Sequence, residues 1–163
     1  MRMGEGVEWG LHCCLTLAWL DKGPVPSAKL AALFDVSPTY LNKCLQRLVR
    51  AGILISTPGP RGGVQLVRAP EDITLMDVVV ALEGRDALFS CTEIRQQGAA
   101  GAEASAREFA HPCGIATAMR RAELAWRREL AGQTIADLMA AAPTSSARRI
   151  RNSYDRIAAC PAR

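Results

Sequence analysis

Residues 27–68 read SAKLAALFDVSPTYLNKCLQRLVRAGILISTPGPRGGVQLVR, and this stretch decides the fold. A first helix is predicted to begin with Ser27 as its N-cap, and Asp35 marks a short turn after it. Ser37-Pro38 starts a second helix, because a capping residue followed by proline is typical of a helix N-terminus. Two helices joined by a tight turn predict a helix-turn-helix motif.

The second helix of this motif has one apolar face and one polar face. The apolar positions recur at helical spacing: Leu41, Cys44, Leu45 and Leu48. The other face carries side chains of the kinds that bond bases and phosphates. We predict that the DNA-reading surface comprises Ser37, Thr39, Tyr40, Asn42 and Lys43. Arg47 and Arg50 are expected to contact phosphates or a minor groove.

A β-hairpin is predicted directly after this helix. Residues 53–57 and 64–67 have strand composition, and the Pro- and Gly-rich segment 58–63 between them forms the turn. A hairpin in this position is the wing of a winged helix, with Arg61 at its tip as a further phosphate or minor-groove contact. A small α/β packing unit that binds no nucleic acid is the alternative.

The charge distribution also favours a polyanionic partner. The 163-residue chain has a net charge of +4, yet residues 27–68 alone contain six basic residues and one acid. A second basic cluster lies near the end of the chain: Arg148, Arg149, Arg151, Arg156 and Arg163. Localised positive charge is typical of nucleic-acid binding, although a solvated surface has the same composition.

Composition excludes several classes of protein. With 49% hydrophobic and 22% charged residues, the chain has the balance of a globular protein of about one domain. No apolar run approaches the roughly 20 residues of a membrane span, so we expect no membrane association. The N-terminus lacks the pattern of a secretory signal, so a cytoplasmic location is expected.

Enzymatic activity is not expected either. The sequence has no Walker loop, no nucleophile elbow and no HExxH motif, and its histidines are His12 and His111. His111 lies close to Cys113, but neighbouring loop residues rarely form a catalytic dyad. A solvated loop histidine is the preferred interpretation.

The predicted fold is mainly α-helical, a winged helix-turn-helix with a long dimerisation helix. A helix over residues 6–20 should bury the stripe Val7, Leu11, Cys14, Leu15 and Ala18. Thr74 and Thr134 each precede a helix, in capping patterns with Asp77 and Asp137. Residues 98–102 are predicted as loop, and an amphipathic helix over 115–130 is the dimerisation element, with the face Ile115, Met119, Ala122 and Trp126.

Four segments follow from this pattern. Residues 1–84 form the DNA-binding domain, 85–114 a ligand-binding loop and 115–142 the dimerisation helices. The basic tail, 143–163, is either a frayed helix or disordered.

Cysteine placement raises the question of a metal site. Of six cysteines, Cys91 and Cys113 bracket the loop, whereas Cys14 and Cys44 fall on apolar helix faces. The interval between Cys91 and Cys113 matches no zinc knuckle or ribbon, and two cysteines cannot complete a four-ligand site. Glu8 and His12 stand four residues apart on one helix face, so both could bind one metal. Such pairs are also common on solvated helix faces.

Several stretches together resemble the winged-helix iron–sulfur regulators typified by IscR and NsrR. The resemblance extends over about residues 1–141 and is carried by 6–14, 36–41, 50–54, 59–63, 73–78, 91–95 and 134–138. It implies a homodimer with one [2Fe-2S] cluster per subunit, whose state governs binding to a pseudo-palindromic double-stranded DNA operator. It also implies that the cysteines of one chain meet the first helix of its partner.

The chain departs from this family in two respects. Many relatives have three cysteines in the loop, whereas this chain has Cys91 and Cys113 alone, which leaves Glu8 and His12 to complete the ligand set. Pro58 stands where IscR-like wings often carry an arginine. The alternative to a cluster is a winged-helix regulator in which the two cysteines form a reversible disulfide or bind zinc.

Overall fold

The computed structural model describes residues 3–159, so Cys160 and Arg163 lie outside the described residues. The fold is mostly helical with one small antiparallel sheet, as predicted. The helices are α1 (Glu5–Leu20), α2 (Ser27–Phe34), α3 (Pro38–Arg50), α4 (Leu75–Glu83), α5 (Gly98–Ala102), α6 (Gly114–Ala131), α7 (Ile135–Ala141) and α8 (Thr144–Ala159). The strands are β1 (Leu54–Thr57) and β2 (Gly63–Leu66).

Two compact units make up the described chain. The first comprises residues 3–84 together with 130–159, and the second comprises residues 85–129. In the described part of the chain, no helix combines the length and the apolar character needed to cross a bilayer.

The helix-turn-helix motif of the first unit is formed by α2 and α3. All four predicted apolar positions of α3 are buried: Leu41, Cys44, Leu45 and Leu48. Pro38 occupies the first turn of α3 as predicted, although the Ser37 side chain makes no capping hydrogen bond. The N-cap of α2 is Pro26, so Ser27 is the first helical residue and the prediction of Ser27 as N-cap is wrong.

The predicted wing is present as the β1–β2 hairpin. Leu54 pairs with Leu66 and Thr57 with Gly63, which leaves the turn and Arg61 beyond the last pair. Val25, just before α2, exchanges two backbone hydrogen bonds of 2.9 Å with Val64. This bridge attaches the wing to the helix-turn-helix motif.

Helix α1 is buried on more sides than its predicted stripe. Val7, Cys14 and Leu15 are buried as expected, but Leu11 and Ala18 are only half-buried. Burial instead covers almost every residue from Cys13 to Leu20. The physical reason is that α3, α4, α7, α8 and β2 all pack against this helix, so it lies in the middle of the unit rather than on its surface.

The chain after residue 130 returns to the first unit. Leu75 donates to Gln133 and Ile135 donates to Ile73, both through backbone hydrogen bonds of 2.9 Å. Both predicted capping boxes are formed, by Thr74 with Asp77 and by Thr134 with Asp137. The basic tail, for which a frayed helix or disorder was expected, forms α8 over 16 residues and packs against α1 and α2.

The second unit is more ordered than the predicted loop. Residues 98–102 form the short helix α5, which corrects the loop prediction, and 3-10 turns occupy Ile94–Gln96 and Ala106–Phe109. The predicted long helix is present as α6. Its Glu123 carboxylate accepts hydrogen bonds from Leu88 N–H (3.2 Å) and from Arg127 Nε (2.8 Å).

We expect Gly63→Ala to lower the free energy of unfolding by about 3 kcal/mol in urea titrations. An added Cβ would overlap the backbone of Val25 and Pro26. At φ +154° a residue other than glycine is also strained, so the steric and conformational costs add. Gly59→Ala is the matched control, because φ is +103° there but nothing lies within 4 Å of the added Cβ. Equal losses for the two variants would contradict the close packing of the wing on Val25.

Candidate functional site

The polar face of α3 is exposed, as a DNA-reading surface requires. Every residue predicted for that surface is exposed: Ser37, Thr39, Tyr40, Asn42, Lys43, Arg47, Arg50 and Arg61. A groove runs between α2, α3 and the wing, and Asn42 and Arg50 line it. An α-helix fits into the major groove of DNA, and a hairpin beside it can reach the neighbouring backbone.

Three residues of this groove were not among the predicted contacts: Ser27, Gln46 and Ser56. Gln46 lies one helical turn after Asn42, so its spacing on the polar face was a usable signal. Ser27 and Ser56 come from α2 and β1, and their approach to α3 depends on the Val25–Val64 bridge.

Arg47 has a structural partner within the protein. Its Nη1 donates to the backbone carbonyl oxygen of Leu82, in the last turn of α4. A cation at this position stabilises the negative end of a helix. Arg47 therefore joins α3 to α4, and part of its hydrogen-bonding capacity is already used.

Tyr40 contacts the first helix as well as presenting an exposed edge. Its hydroxyl donates to the Cys44 sulfur, and an added Cβ on Gly6 would lie 3.5 Å from both groups. The pKa of Tyr40 is raised, first by desolvation and then by the Cys44, Glu5 and Glu83 side chains. The N-terminal turn of α1 is thus in contact with the first turns of the recognition helix.

The second unit brings Cys91 and Cys113 together. The Cys91 side chain lies within hydrogen-bonding reach of the Cys113 sulfur. Backbone N–H groups of Ala116 and Ile115, in the first turn of α6, also donate to this sulfur, and they lower the pKa of the Cys113 thiol. Thiolate is the form of cysteine that binds metals and reacts with oxidants.

Arg95 holds the two cysteine-bearing segments together. Its guanidinium donates to the Glu93 carboxylate at 2.7 and 3.1 Å and to the His111 carbonyl oxygen at 3.3 Å. It also lies over the Phe109 ring, 5.4 Å from the centroid, and its charge contributes to the lowered pKa of Cys113. Arg95 was not among the predicted site residues, because the segment it reaches is distant along the chain.

Glu8 and His12 are both exposed on α1, one helical turn apart. The His12 ring packs against Phe34 of α2, with centroids 5.9 Å apart, and Trp9 contacts the same ring at 6.0 Å. Among the described residues of a single chain, no three His, Cys, Asp or Glu side chains gather in an arrangement that could hold a metal ion.

The other cysteines of the described residues, Cys13, Cys14 and Cys44, are buried in the core. Burial raises the pKa of Cys13 and Cys14 to about 12, so both thiols stay protonated at neutral pH. Desolvation also raises the pKa of Cys44, although Arg47 and the Tyr40 hydroxyl oppose this. These three side chains belong to the core rather than to a ligand set.

The fold and the exposed polar face of α3 define a winged helix-turn-helix DNA-binding protein. The profile of the Rrf2 family, described as iron-dependent transcriptional regulators, matches residues 3–141, and the chain belongs to this family. A chain of Lactococcus lactis named as the HTH-type transcriptional regulator YffB is 32% identical over 139 residues, which is 85% of this chain and 86% of that one. Such names indicate a regulatory rather than an enzymatic role.

Solved structures share the fold. IscR of T. potens has a TM-score of 0.66 at 20% identity and covers 90% of this chain and 91% of its own. The oxidised form of Staphylococcus aureus CymR has a TM-score of 0.65 at 23% identity and covers 88% of this chain and 100% of its own. At these identities the likeness establishes the fold alone. Regulators of the Rrf2 family bind DNA and typically act as dimers.

In metal-free protein, we expect the pH midpoint of Cys113 alkylation to lie below that of an ordinary thiol, which is about 8.5. Its thiolate is favoured by the N–H groups of α6 and by Arg95, so Arg95→Gln should raise the midpoint. Cys13 and Cys14 should remain unmodified up to about pH 10, because their pKa is about 12. Iodoacetamide labelling read by mass spectrometry for each cysteine measures all three.

Arg107→Gln is the control for charge, since Arg107 is exposed in the same unit and does not contact the thiol pair. A Cys113 midpoint at or above that of an ordinary thiol would contradict the assigned environment.

Proposed function

We propose that this chain is a homodimeric transcriptional regulator whose binding to DNA responds to redox state through a [2Fe-2S] cluster. The proposed ligands are Cys91 and Cys113 of one chain with Glu8 and His12 of the partner subunit. We infer that this ligand set resembles that of the redox-sensing regulator RsrR. The observation that carries the proposal is the adjacent thiol pair with its lowered Cys113 pKa.

One chain provides two of the proposed ligands through Cys91 and Cys113, and the partner subunit would provide the other two. Cys91 and Cys113 supply adjacent sulfurs, one of which is already biased toward thiolate. Glu8 and His12 are exposed and share a helix face, so they are free to bind a group outside their own chain. When bound, the group supplies one-electron redox chemistry, and histidine ligation raises its potential relative to all-cysteine ligation.

Helix α6 supports the proposed dimer. It has no buried residue among those described, and its predicted contact face includes Ile115 and Met119, which are 66% and 43% exposed. Exposed apolar side chains in a row along a helix are typical of a contact between subunits. A second copy of the chain is the proposed occupant.

A route from the ligands to DNA follows from the contacts of α1. Glu8 lies two residues after Gly6 on α1, and Gly6 packs against Tyr40 and Cys44 of the recognition helix. Because the interior of the unit is close-packed, a shift of the α1 N-terminus must be accommodated by α3. A small change in the position of Glu8 or His12 would therefore alter the presentation of the DNA-reading surface.

A thiol–disulfide switch is the second candidate, and the same adjacency of Cys91 and Cys113 favours it. A peroxide would oxidise the two thiols, which lose two electrons and two protons and form one S–S bond, while the peroxide is reduced with cleavage of its O–O bond. The lowered pKa of Cys113 would assist the attack on the oxidant. A protein with this chemistry is colourless, whereas an iron–sulfur protein is brown.

The DNA site of a two-fold dimer is proposed to be a pseudo-palindrome, with half-sites about 34 Å apart or a multiple of this distance. Thr39, Asn42 and Lys43 of α3 are the proposed base-reading residues. Arg50 and Arg61 are proposed to contact the backbone or a minor groove.

We expect Lys43→Ala to weaken binding to a duplex selected from random sequences by about 10-fold, as is usual for the loss of one base contact. Arg61→Ala should instead reduce the dependence of affinity on salt, because one phosphate contact accounts for a slope of about 0.9. Fluorescence anisotropy at several salt concentrations measures both. Arg107→Ala, an exposed position outside the winged helix, should leave both quantities unchanged.

We expect protein purified without oxygen from iron-replete cells to be brown and to contain iron and acid-labile sulfide. Cys91→Ala or Cys113→Ala should abolish the visible absorbance and the sulfide, because each removes one of only two thiolates in the proposed set. Cys160→Ala, which removes a cysteine that the proposal does not use, is the matched control. If the Cys91→Ala variant keeps the visible absorbance and the iron content of the parent, the proposal of a cluster is wrong. A colourless parent with a Cys91–Cys113 disulfide would favour the thiol switch.

A further inference from the structure

Helix α8 has a basic face that neither the fold nor the proposed sensing mechanism explains. The helix lies entirely outside residues 3–141, the part of the chain that matches the Rrf2 profile. Its inward face consists of Ser146, Ile150, Tyr154 and Ile157, which are buried or half-buried. The opposite face, which we call the arginine face, consists of the exposed residues Arg148, Arg149, Asn152 and Arg156.

The helix is held in place by polar contacts at the edges of these faces. Arg151 Nε donates to the Trp19 carbonyl oxygen at 2.7 Å, near the C-terminus of α1. Asp155 forms an ion pair with Lys22 at 2.7 Å, in the turn between α1 and α2. One arginine of α8 is thus used for anchoring, and the acid nearest to the arginine face already has a cationic partner.

The arginine face has more positive charge than the protein around it neutralises. Within the part of the chain that the structure describes, Arg148 and Arg149 form no hydrogen bond or ion pair, and Arg156 bonds only the Ser153 hydroxyl, at 3.1 Å. With Asn152 between them, these arginines line one open surface together with Ser145 and with Asp155, whose carboxylate is paired with Lys22. Planar guanidinium groups with unused donors are suited to phosphate oxygens.

The position of α8 places the helix beside the DNA-binding elements. The helix packs against α2, the first helix of the helix-turn-helix motif, which in such motifs crosses the DNA backbone. Lys22, its ion-pair partner, is followed by Gly23, where an added Cβ would lie 3.9 Å from Gln65 Oε1 of the wing. One end of α8 therefore lies next to the turn that contacts strand β2.

We propose that the arginine face of α8 binds the phosphate backbone of duplex DNA outside the bases that α3 and the wing read. The proposal rests on DNA binding by the winged helix and is independent of the cluster. Phosphates carry no sequence information, so this surface adds affinity and salt dependence without changing the preferred operator. It extends the DNA contact of this chain beyond the part shared with its family.

The test uses the full chain and duplexes selected by the parent protein from random sequences. One duplex is trimmed to the selected consensus, and a second extends it on both sides with random flanks. The variant carries Arg148→Gln, Arg149→Gln and Arg156→Gln. The control carries Arg107→Gln, Arg121→Gln and Arg128→Gln, three exposed positions in the other unit with the same change in net charge.

We expect the parent and the control to bind the extended duplex more tightly than the trimmed one, and the α8 variant to lose this advantage. The slope of log affinity against log salt on the extended duplex should fall by about 0.9 for each lost contact. The selected consensus should be the same for all three proteins. Thermal unfolding verifies that the α8 variant remains folded, as expected for exposed side chains.

An α8 variant with the affinity and salt slope of the parent on the extended duplex would overturn this inference and leave DNA regulation intact. A parent that selects no duplex would overturn both. The α8 variant could keep the salt slope of the parent on DNA and yet lose binding to polyglutamate. That result would assign the arginine face to an acidic protein partner and would also overturn the inference. The parent protein could be colourless and still bind the extended duplex more tightly than the α8 variant does. That result would support the inference and would contradict only the proposal of a cluster.

Discussion

The burial of α1 in the middle of the DNA-binding unit is the constraint on which the rest of the structure depends. From Cys13 to Leu20 the helix is enclosed by α3, α4, α7, α8 and the wing strand β2. The N-terminal half of the helix exposes Glu8 and His12, while Gly6 remains against Tyr40 and Cys44. A ligand bound at these two exposed residues would therefore act on a rigid element that has one face on the recognition helix.

Much of the first unit could be predicted because its signals are local. The spacing of Leu41, Cys44, Leu45 and Leu48 determines the inward face of α3, and Thr74 and Thr134 cap their helices through residues three positions away. The enclosure of α1 and the order of α8 could not be predicted in this way. The face Ser146, Ile150, Tyr154 and Ile157 is only weakly apolar, and it becomes a stable contact because α1 and α2 provide a surface to cover.

The candidate site shows the same contrast between residues with a local sequence signal and residues whose contacts depend on the fold. Cys91 and Cys113 could be singled out because they bracket a segment of distinctive composition, and the structure places their side chains together. Arg95 could not, because its partners Phe109 and His111 are reached only through the fold of the second unit. The proposed roles of Glu8 and His12 involve a second chain, and they stay a prediction.

The pairing of residues 73–75 with residues 133–135 has a consequence for biosynthesis. The wing and the recognition helix emerge early during translation, but the strand-like bridge and the helices that close around α1 are made last. The DNA-binding unit is therefore completed only after the intervening thiol-bearing segment has left the ribosome. Because the entropic cost of closing a loop grows only slowly with its length, that segment can vary in size with little effect on this late step.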